Sequence, residues 1–309
     1  MSTLERPARV GTDLAALRRA TLRPRDGAAN VGRVLLAHAT LLAWFWLGYW
    51  YLPAAVYIPC SLFVCVVHQR AMSEWIHEGA HRNIVANARA NDAVGNALAG
   101  VWFMLPVDVY RASHFAHHRA AGFFTTDDPE TTFLGVRSRR SFKRALLEDL
   151  TGITMVRQYR RFRVNQTTTR GASALRLCFA VVLLGVAALA FLIGRVDAVV
   201  LYYGTLVTLY PMLNRLRTYG QHVVLEPSAP PVLAGSTVSR TIDAGWWDRL
   251  VWTSPRLLYH FEHHRHPFLP WRALSSICER ADDANVYTRS RLGVLRGMYA
   301  GLPEREPVT

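Results

Sequence analysis

The sequence predicts an all-α integral membrane protein in which four transmembrane helices form two hairpins. Hydrophobic residues make up 51% of the 309 positions, and the mean hydropathy is +0.09 although 19% of the residues are charged. The apolar residues come in long runs, and most basic residues lie outside these runs. A soluble domain of this charge is ordinarily less apolar, so the composition favours a membrane protein.

The first predicted hairpin comprises residues 34–52 and 54–76. Residues 34–67 contain no charged side chain, and Pro53 divides the apolar run. About 20 helical residues, at about 1.5 Å each, cross a hydrocarbon core of about 30 Å. Each half of this segment is therefore long enough to span a membrane.

The second predicted hairpin comprises residues 174–193 and 196–213. These segments are apolar apart from Arg176 and Asp197, which both lie near helix ends. The alternative interpretation of both hairpins is a set of buried helices in a globular core.

The basic residues predict the orientation. The first 33 residues contain seven arginines and residues 137–170 contain ten basic residues, whereas the two hairpin tips offer only Arg195. By the positive-inside rule, both termini and the middle segment are expected to be cytoplasmic. The first apolar run follows an arginine-rich segment, which predicts no cleavable signal peptide. We therefore expect a multi-pass protein of the bacterial inner membrane, with both termini in the cytoplasm.

Three short motifs concentrate the histidines. Residues 77–81 read HEGAH, residues 114–118 read HFAHH and residues 260–264 read HFEHH, so these boxes hold eight of the 12 histidines. On a helix, positions i, i+3 and i+4 share one face, and neutral imidazole is the commonest side-chain metal ligand. Each box alone could be a solvated polar face, but their recurrence favours a metal site.

The number of histidines predicts two metal ions. Eight imidazoles exceed the about four to six ligands that one ion takes, and the four cysteines show no zinc-type spacing. A helix from residue 54 carries His77 about 35 Å along, and a helix from residue 196 carries His222 about 39 Å along. His222 is therefore a ninth candidate ligand. We expect a cytoplasmic helical cap to hold this histidine-rich di-metal site.

Residues 93–109 form a further apolar segment, but it is not expected to cross the membrane. The segment has only about 17 residues and contains Gly95, Gly100, Pro106 and Asp108. An interfacial or re-entrant helix that caps the metal site fits this composition. A crossing here would instead place the first histidine box opposite the second.

The motifs H-x-x-x-H, H-x-x-H-H and H-x-x-H-H, separated by apolar hairpins, resemble the membrane fatty acid desaturase superfamily of non-haem di-iron enzymes. The resemblance covers roughly residues 34–282 and includes the stretches HFAHHRAAGFFTTDDPE, YHFEHHRHPFLPW and RLRTYGQH. Desaturases, hydroxylases, ketolases and acetylenases share these boxes. Gln221 departs from members that have an acidic residue before the additional histidine.

The resemblance implies an oxidoreductase that holds two iron(II) ions and uses dioxygen as co-substrate. Nitrogen-rich ligation suits iron(II). Two electrons must come from a separate donor, and the arginine-rich face would attract an acidic ferredoxin or rubredoxin. The implied iron ligands are His77, His81, His114, His117, His118, His222, His260, His263 and His264.

Carboxylates that neighbour these histidines could accept a hydrogen bond from the distal N–H of a ligating imidazole. Residues 127–130 could equally be a turn or helix-start signal. In the apolar segment, Trp102, Phe103 and Met104 could line a path for an apolar substrate or could enter the lipid interface. The candidate carboxylates are Glu78, Asp127, Asp128, Glu130 and Glu262.

The leading functional hypothesis is a desaturase of a fatty acyl lipid or acyl thioester. A hydroxylase or ketolase acting on an acyl chain, a carotenoid or a specialised metabolite is the alternative within the same chemistry. A membrane metal transporter is a more distant alternative. It is disfavoured because transporters normally place ionisable ligands within their spans, whereas the predicted spans of this chain contain almost none.

The net charge of +14 could also indicate nucleic-acid binding, but no nucleic-acid motif accompanies it. The expected partners are the lipid bilayer, the electron donor and the apolar substrate. The predicted organisation is a cytoplasmic N-terminal segment at 1–33, a desaturase-like membrane domain at 34–282 and a cytoplasmic C-terminal tail at 283–309.

Overall fold

The computed structural model describes residues 13–304, apart from positions 124, 126, 130–135, 165–169, 226–235, 244, 253–254 and 279. Most of this part of the chain is helical. The helices of the first half are α1 (Leu14–Thr21), α2 (Pro24–Tyr51), α3 (Ala54–Ala80), α4 (Ala88–Leu98), α5 (Val107–Arg119), α6 (Arg139–Leu150) and α7 (Ile153–Val164), with a 3₁₀ turn at Gly100–Phe103 between α4 and α5.

The second half contains further helices and one short sheet. Strand β1 (Thr241–Ile242) pairs in parallel with β2 (Tyr287–Thr288). The helices are α8 (Arg170–Leu192), α9 (Val196–Val207), α10 (Leu209–His222), α11 (Trp246–Val251), α12 (Pro255–Leu258), α13 (His260–Arg265), α14 (Trp271–Leu274) and α15 (Arg291–Gly301).

Four helical segments are long and apolar enough to cross a membrane: Pro24–Tyr51, Ala54–Ala80, Ser173–Leu192 and Val196–His222. Helix α2 packs against α3, and α8 packs against α9. Their outer faces carry large exposed apolar side chains, such as Leu42 at 69% exposure and Leu184 at 69%. Such surface would be costly in water and suits contact with lipid.

The helices differ from the predicted spans mainly at their ends. Helix α2 begins at Pro24 rather than at residue 34, because a proline at the first helical position and Asp26 in the first turn form a helix start without apolar residues. Helix α3 continues past residue 76 to Ala80 and so includes His77.

The fourth segment is bent where α9 meets α10. Thr208 joins the two helices with φ −119° and ψ −79°. Pro211 follows in the first turn of α10, and it has no N–H to donate to the carbonyl group of Val207. The proline therefore accounts for the local break, while the segment still extends to His222.

The apolar segment at residues 93–109 is divided among α4, the 3₁₀ turn and α5. A Cβ atom on Gly100 would lie 2.7 Å from the carbonyl oxygen of Leu105, so the turn requires glycine. Met104 adopts a left-handed conformation with φ 53°, and Pro106 precedes α5. Among the described residues, this segment is too interrupted to be one of the four candidate spans.

The C-terminal helix is built into the fold. Val294, Met298 and Leu302 are buried in one apolar cluster with Phe123 and Tyr219. The division of the chain into three segments, at residues 33 and 282, remains a prediction. Helix α15, which belongs to the predicted C-terminal tail, packs on α10.

Candidate metal centre

Four helices bring the nine predicted ligands together. His77 lies in the last turn of α3 and His81 directly follows that helix. The second box lies in α5, and His222 is the last residue of α10. The third box forms the short helix α13, in which His260 and His263 are buried.

The end of α3 is held by a network that fixes the first box. The amide of Asn83 donates to the Glu78 carbonyl, and the amide of Arg82 donates to the Gly79 carbonyl, while Arg82 is left-handed with φ 58°. These two bonds are those of a Schellman motif. Arg111 of α5 donates to the carbonyl groups of Ala80 and Gly79 at 2.7 and 3.0 Å. Helices α3 and α5 are thereby joined next to the histidines.

The histidine side chains converge in two groups. Within each group, the candidate ligand atoms all lie within 4.8 Å of one another. The larger group contains His77, His81, His114, His118 and His263, and the smaller contains His117, His222 and His264. His260 joins the smaller group, since its Nε2 atom lies 2.9 Å from Nε2 of His222 and 3.2 Å from Nε2 of His264.

The two groups are in direct contact. The ring centroids of His118 and His264 are 4.4 Å apart. Nε2 of His118 also lies 3.1 Å from Nε2 of His114 and 3.1 Å from Nε2 of His263. The nine histidines therefore occupy one continuous cluster, and their role as ligands stays a prediction.

Outer hydrogen bonds determine the tautomers of two histidines. Nδ1 of His117 lies 2.9 Å from the Asp128 carboxylate, and Nδ1 of His222 lies 2.9 Å from the Val238 carbonyl oxygen. A carbonyl oxygen can only accept, so His222 must donate from Nδ1, and a carboxylate makes the same arrangement favourable for His117. The Nε2 lone pair of each ring is then directed at the cluster.

Burial favours the neutral form of several of these histidines, which is the form that binds metal. Burial, and then the neighbouring imidazoles of His114 and His118, hold the pKa of His81 well below its ordinary value of 6.5. Burial and adjacent histidines lower the pKa of His263 and His264 in the same way. The low pKa values keep the nitrogen lone pairs available.

The predicted carboxylates have different surroundings. Asp128 is buried against His117, whereas Asp127 is exposed. Glu78 is buried, with one oxygen 3.5 Å from Nδ1 of His77. Glu262 is buried and accepts a hydrogen bond from the Thr241 hydroxyl group at 2.5 Å. Glu130 lies outside the described residues.

A cavity of ≈ 210 Å³ opens beside the cluster. His77, His114, His117, His222 and His260 contribute to its wall. Much of the remaining lining is apolar or aromatic and includes Ile76, Phe103, Met104, Leu105, Tyr110, Met155, Tyr159, Tyr210 and Leu257. A substrate in this cavity would lie directly against the histidines.

The apolar segment contributes to the cavity in part. Phe103 and Met104 line it, but Trp102 packs instead against His38 and Tyr202. His38 and His68 form a separate polar pair between α2 and α3, with Nδ1 of His38 3.0 Å from Nε2 of His68. The structure thus separates these two histidines from the nine of the cluster.

Arg217 is a charged cavity residue that the sequence analysis missed. It lines the cavity and donates to the side-chain oxygens of Asn214 and Gln221 at 3.0 Å each. Its charge contributes to the lowered pKa values of His114 and His260. The only sequence signal was its position five residues before His222, which does not reveal the direction of the side chain.

The donor set fits metal binding. Both groups consist of histidine alone, and Nε2 of His81 is buried without a hydrogen-bond partner in the described part of the chain. Nε2 of His260 faces both His222 and His264, yet one ring nitrogen carries at most one proton. Neighbouring nitrogens on an ion with bonds of about 2.1 Å lie about 3.0 Å apart, close to these separations.

The fold and the site together define a helical protein with four candidate membrane spans and a buried histidine cluster that could hold metal. The family model described as "Fatty acid desaturase" matches residues 55–290, a range that includes all three boxes and His222. The chain therefore belongs to the fatty acid desaturase family, and in general terms it is an oxidoreductase. No curated protein matches the chain.

Proposed function

We propose that the protein is an oxygen-dependent di-iron membrane oxidase, and most simply a desaturase of a fatty acyl lipid or acyl thioester. The observation that carries this proposal is the convergence of nine imidazoles beside a largely apolar cavity. The family match favours an oxidase over the transporter hypothesis. A site built almost wholly from buried nitrogen donors suits iron(II), while the cavity suits an apolar chain.

The nine histidines would hold the two iron ions. Bound there, the ions would supply the oxidation of an unactivated C–H bond by dioxygen, which no side chain of the protein can perform. Asp128 and the Val238 carbonyl keep Nδ1 of His117 and His222 protonated, so that Nε2 is the ligand atom in both rings. Arg111 fixes the end of α3 and thereby the positions of His77 and His81.

The cavity wall would position the substrate and exclude water. Phe103 and Met104 are carried by a turn that Gly100 makes possible, and they line the same cavity as the histidines. An apolar chain in this space would present its carbon atoms to the cluster while the aromatic and aliphatic wall keeps bulk water out.

The reaction requires two electrons from a separate protein. Desaturation removes two hydrogens from the substrate, and with two electrons and two protons from outside it converts dioxygen to two waters. We propose an acidic ferredoxin or rubredoxin as the donor. Helices α6 and α7 offer it exposed cationic side chains, including Arg140, Lys143, Arg144, Arg157 and Arg160.

The proposed membrane arrangement follows the positive-inside rule. The four spans form two hairpins, with both termini, the histidine cluster and the cationic surface of α6 and α7 in the cytoplasm of a bacterial cell. Cysteine substitutions at Arg140 and at Ile193, both exposed and at opposite ends of the proposed spans, test it directly in a variant whose four native cysteines are replaced by serine. In inverted and right-side-out vesicles, an impermeant thiol reagent should label them with opposite preference.

Mass spectrometry of lipids and small metabolites from expressing cells tests the reaction. Desaturation removes two hydrogens from the product, whereas hydroxylation adds one oxygen atom and releases one water. Cells that express the His118→Ala variant are the matched control. A new compound that has lost two hydrogens, present only with the unaltered protein, supports the desaturase; a gain of oxygen supports the hydroxylase alternative, and ion flux without oxygen consumption contradicts both.

A further inference from the structure

The cavity beside the histidine cluster is cationic as well as apolar. Arg176 and Arg217 both line it, and no aspartate or glutamate is among its described lining residues. The two guanidinium groups therefore give the cavity a positive charge. In a low-dielectric space of ≈ 210 Å³, an uncompensated positive charge favours an anionic ligand.

The two arginines differ in their surroundings. Arg217 is fixed by neutral acceptors, namely the side-chain oxygens of Asn214 and Gln221. Arg176 lies near the beginning of α8 and is partly buried, and its Nη2 atom is buried without a hydrogen-bond partner in the chain as far as the structure describes it. In the same described residues, neither arginine forms an ion pair with a carboxylate.

Arg176 lines the cavity, and a guanidinium group in a cavity wall is suited to bind an anion. Guanidinium presents a planar fork of donors that matches carboxylate and phosphate oxygens, and it bonds them more strongly than it bonds neutral acceptors. Ile76, Met155 and Leu257 line the same cavity and would contact an apolar body. One ligand satisfies both features if it is an amphiphile with an anionic group.

We propose that the cavity binds an amphiphilic anion and that Arg176 recognises its carboxylate or phosphate group. This inference rests on the proposed function, because it names the substrate class of the same site. The same cavity is lined by Arg176 and by five of the histidines, so the anionic group and the carbon to be oxidised would share it. Arg217 adds to the positive potential but remains bonded to Asn214 and Gln221.

Ligand binding without turnover tests the proposal. The protein is purified in lipid nanodiscs as isolated, and octanoate, octyl phosphate and octanamide are titrated calorimetrically under argon without an electron donor. We expect at least one of the two anions to bind about tenfold or more tightly than octanamide. Octanoate alone indicates a carboxylate, octyl phosphate alone indicates a phosphate head group, and binding of both indicates recognition of charge in general.

Variants identify the responsible residue. Arg176→Gln keeps a polar side chain of similar length but removes the charge, and it should lose the tenfold preference, whereas Arg176→Lys should recover part of it. Arg89→Gln removes an exposed arginine of α4 that does not line the cavity, and it should bind the anions as the unaltered protein does. Unfolding temperatures of all variants show whether the fold is intact.

Two results overturn the proposal: octanamide binding as tightly as both anions, or a folded Arg176→Gln variant that keeps the preference. Iron content is measured on the same samples. Two irons per chain without anion preference would reject the substrate class and leave the oxidase intact. Anion preference without iron would reject the oxidase and leave the anion site intact.

Discussion

Asp128 should be required for tight iron binding although it is not expected to touch the metal. Its Oδ1 lies 2.9 Å from Nδ1 of His117, and the exposed fractions of the two side chains are 0% and 2%. The bond orients the ring and favours the Nδ1–H tautomer, leaving Nε2 to bind metal. Without it, the ring is free to rotate and the other tautomer is no longer disfavoured.

The size of the effect depends on what replaces the carboxylate. Loss of an outer hydrogen bond to a ligating histidine weakens metal binding by about 10- to 100-fold, or about 1.4 to 2.8 kcal/mol. Asp128→Asn retains an oxygen that can accept from Nδ1 of His117, so the lower end is expected. Asp128→Ala removes the acceptor and leaves a buried N–H group, so the upper end is expected.

Competition between the purified protein and an iron(II) chelator measures these affinities. Asp127→Asn is the matched control, because the neighbouring carboxylate is exposed, and its iron affinity should be unchanged. Unfolding temperatures separate loss of metal binding from loss of fold. Iron affinity in Asp128→Ala equal to that of the unaltered protein would refute the role of this bond.

Three further substitutions test the site and its support. His263→Ala should abolish turnover and reduce bound iron while membrane insertion persists, as measured by activity, metal analysis and membrane fractionation. Asp149→Ala should lower the free energy of unfolding by about 3 to 5 kcal/mol, because Arg215, now bonded to Asp149 at 2.6 Å, would remain buried without its partner. His38→Phe should cost about 1 to 3 kcal/mol in denaturant titrations, because the Leu98 carbonyl loses its bond to Nε2 of His38 at 2.8 Å.

The two stability substitutions, Asp149→Ala and His38→Phe, each have a control on the same helix. Glu148→Ala removes a carboxylate of α6 that pairs with the exposed Arg144 and Arg157. It should change the free energy of unfolding by less than about 1 kcal/mol. Leu42→Phe alters an exposed residue of α2 and should be nearly neutral. A Leu42→Phe variant as unstable as His38→Phe, or an Asp149→Ala variant as stable as Glu148→Ala, would contradict the assigned contacts.

The sequence predicted the features that depend on helical periodicity. The i, i+3 and i+4 spacing placed each box on one helix face, and the rise per residue predicted that His222 emerges near His77. The structure brings these histidines into one cluster. Gly100 and Pro106 also counted against a membrane crossing at 93–109, but the single helix expected there is divided among α4, the 3₁₀ turn and α5.

Features that depend on contacts between distant segments were not predictable. Asp127 and Asp128 are adjacent carboxylates in one turn, and only the packing of that turn on α5 directs Asp128 toward His117. Glu262 lies between His260 and His263 in sequence, but it accepts a hydrogen bond from Thr241, 21 residues earlier in the chain. The position of the Arg217 charge in the cavity wall likewise depends on how α10 packs against the other helices. Helical periodicity does not specify this packing.

Metal analysis of the purified protein tests the central claim most directly. Iron is quantified by plasma mass spectrometry against amino-acid analysis, for the unaltered protein and for variants in which one histidine of each box is replaced by alanine. We predict two bound irons per chain for the unaltered protein and fewer bound irons per chain in every box variant. A preparation that catalyses dioxygen-dependent oxidation of its substrate with no bound metal, or box variants that keep both irons, would contradict the account.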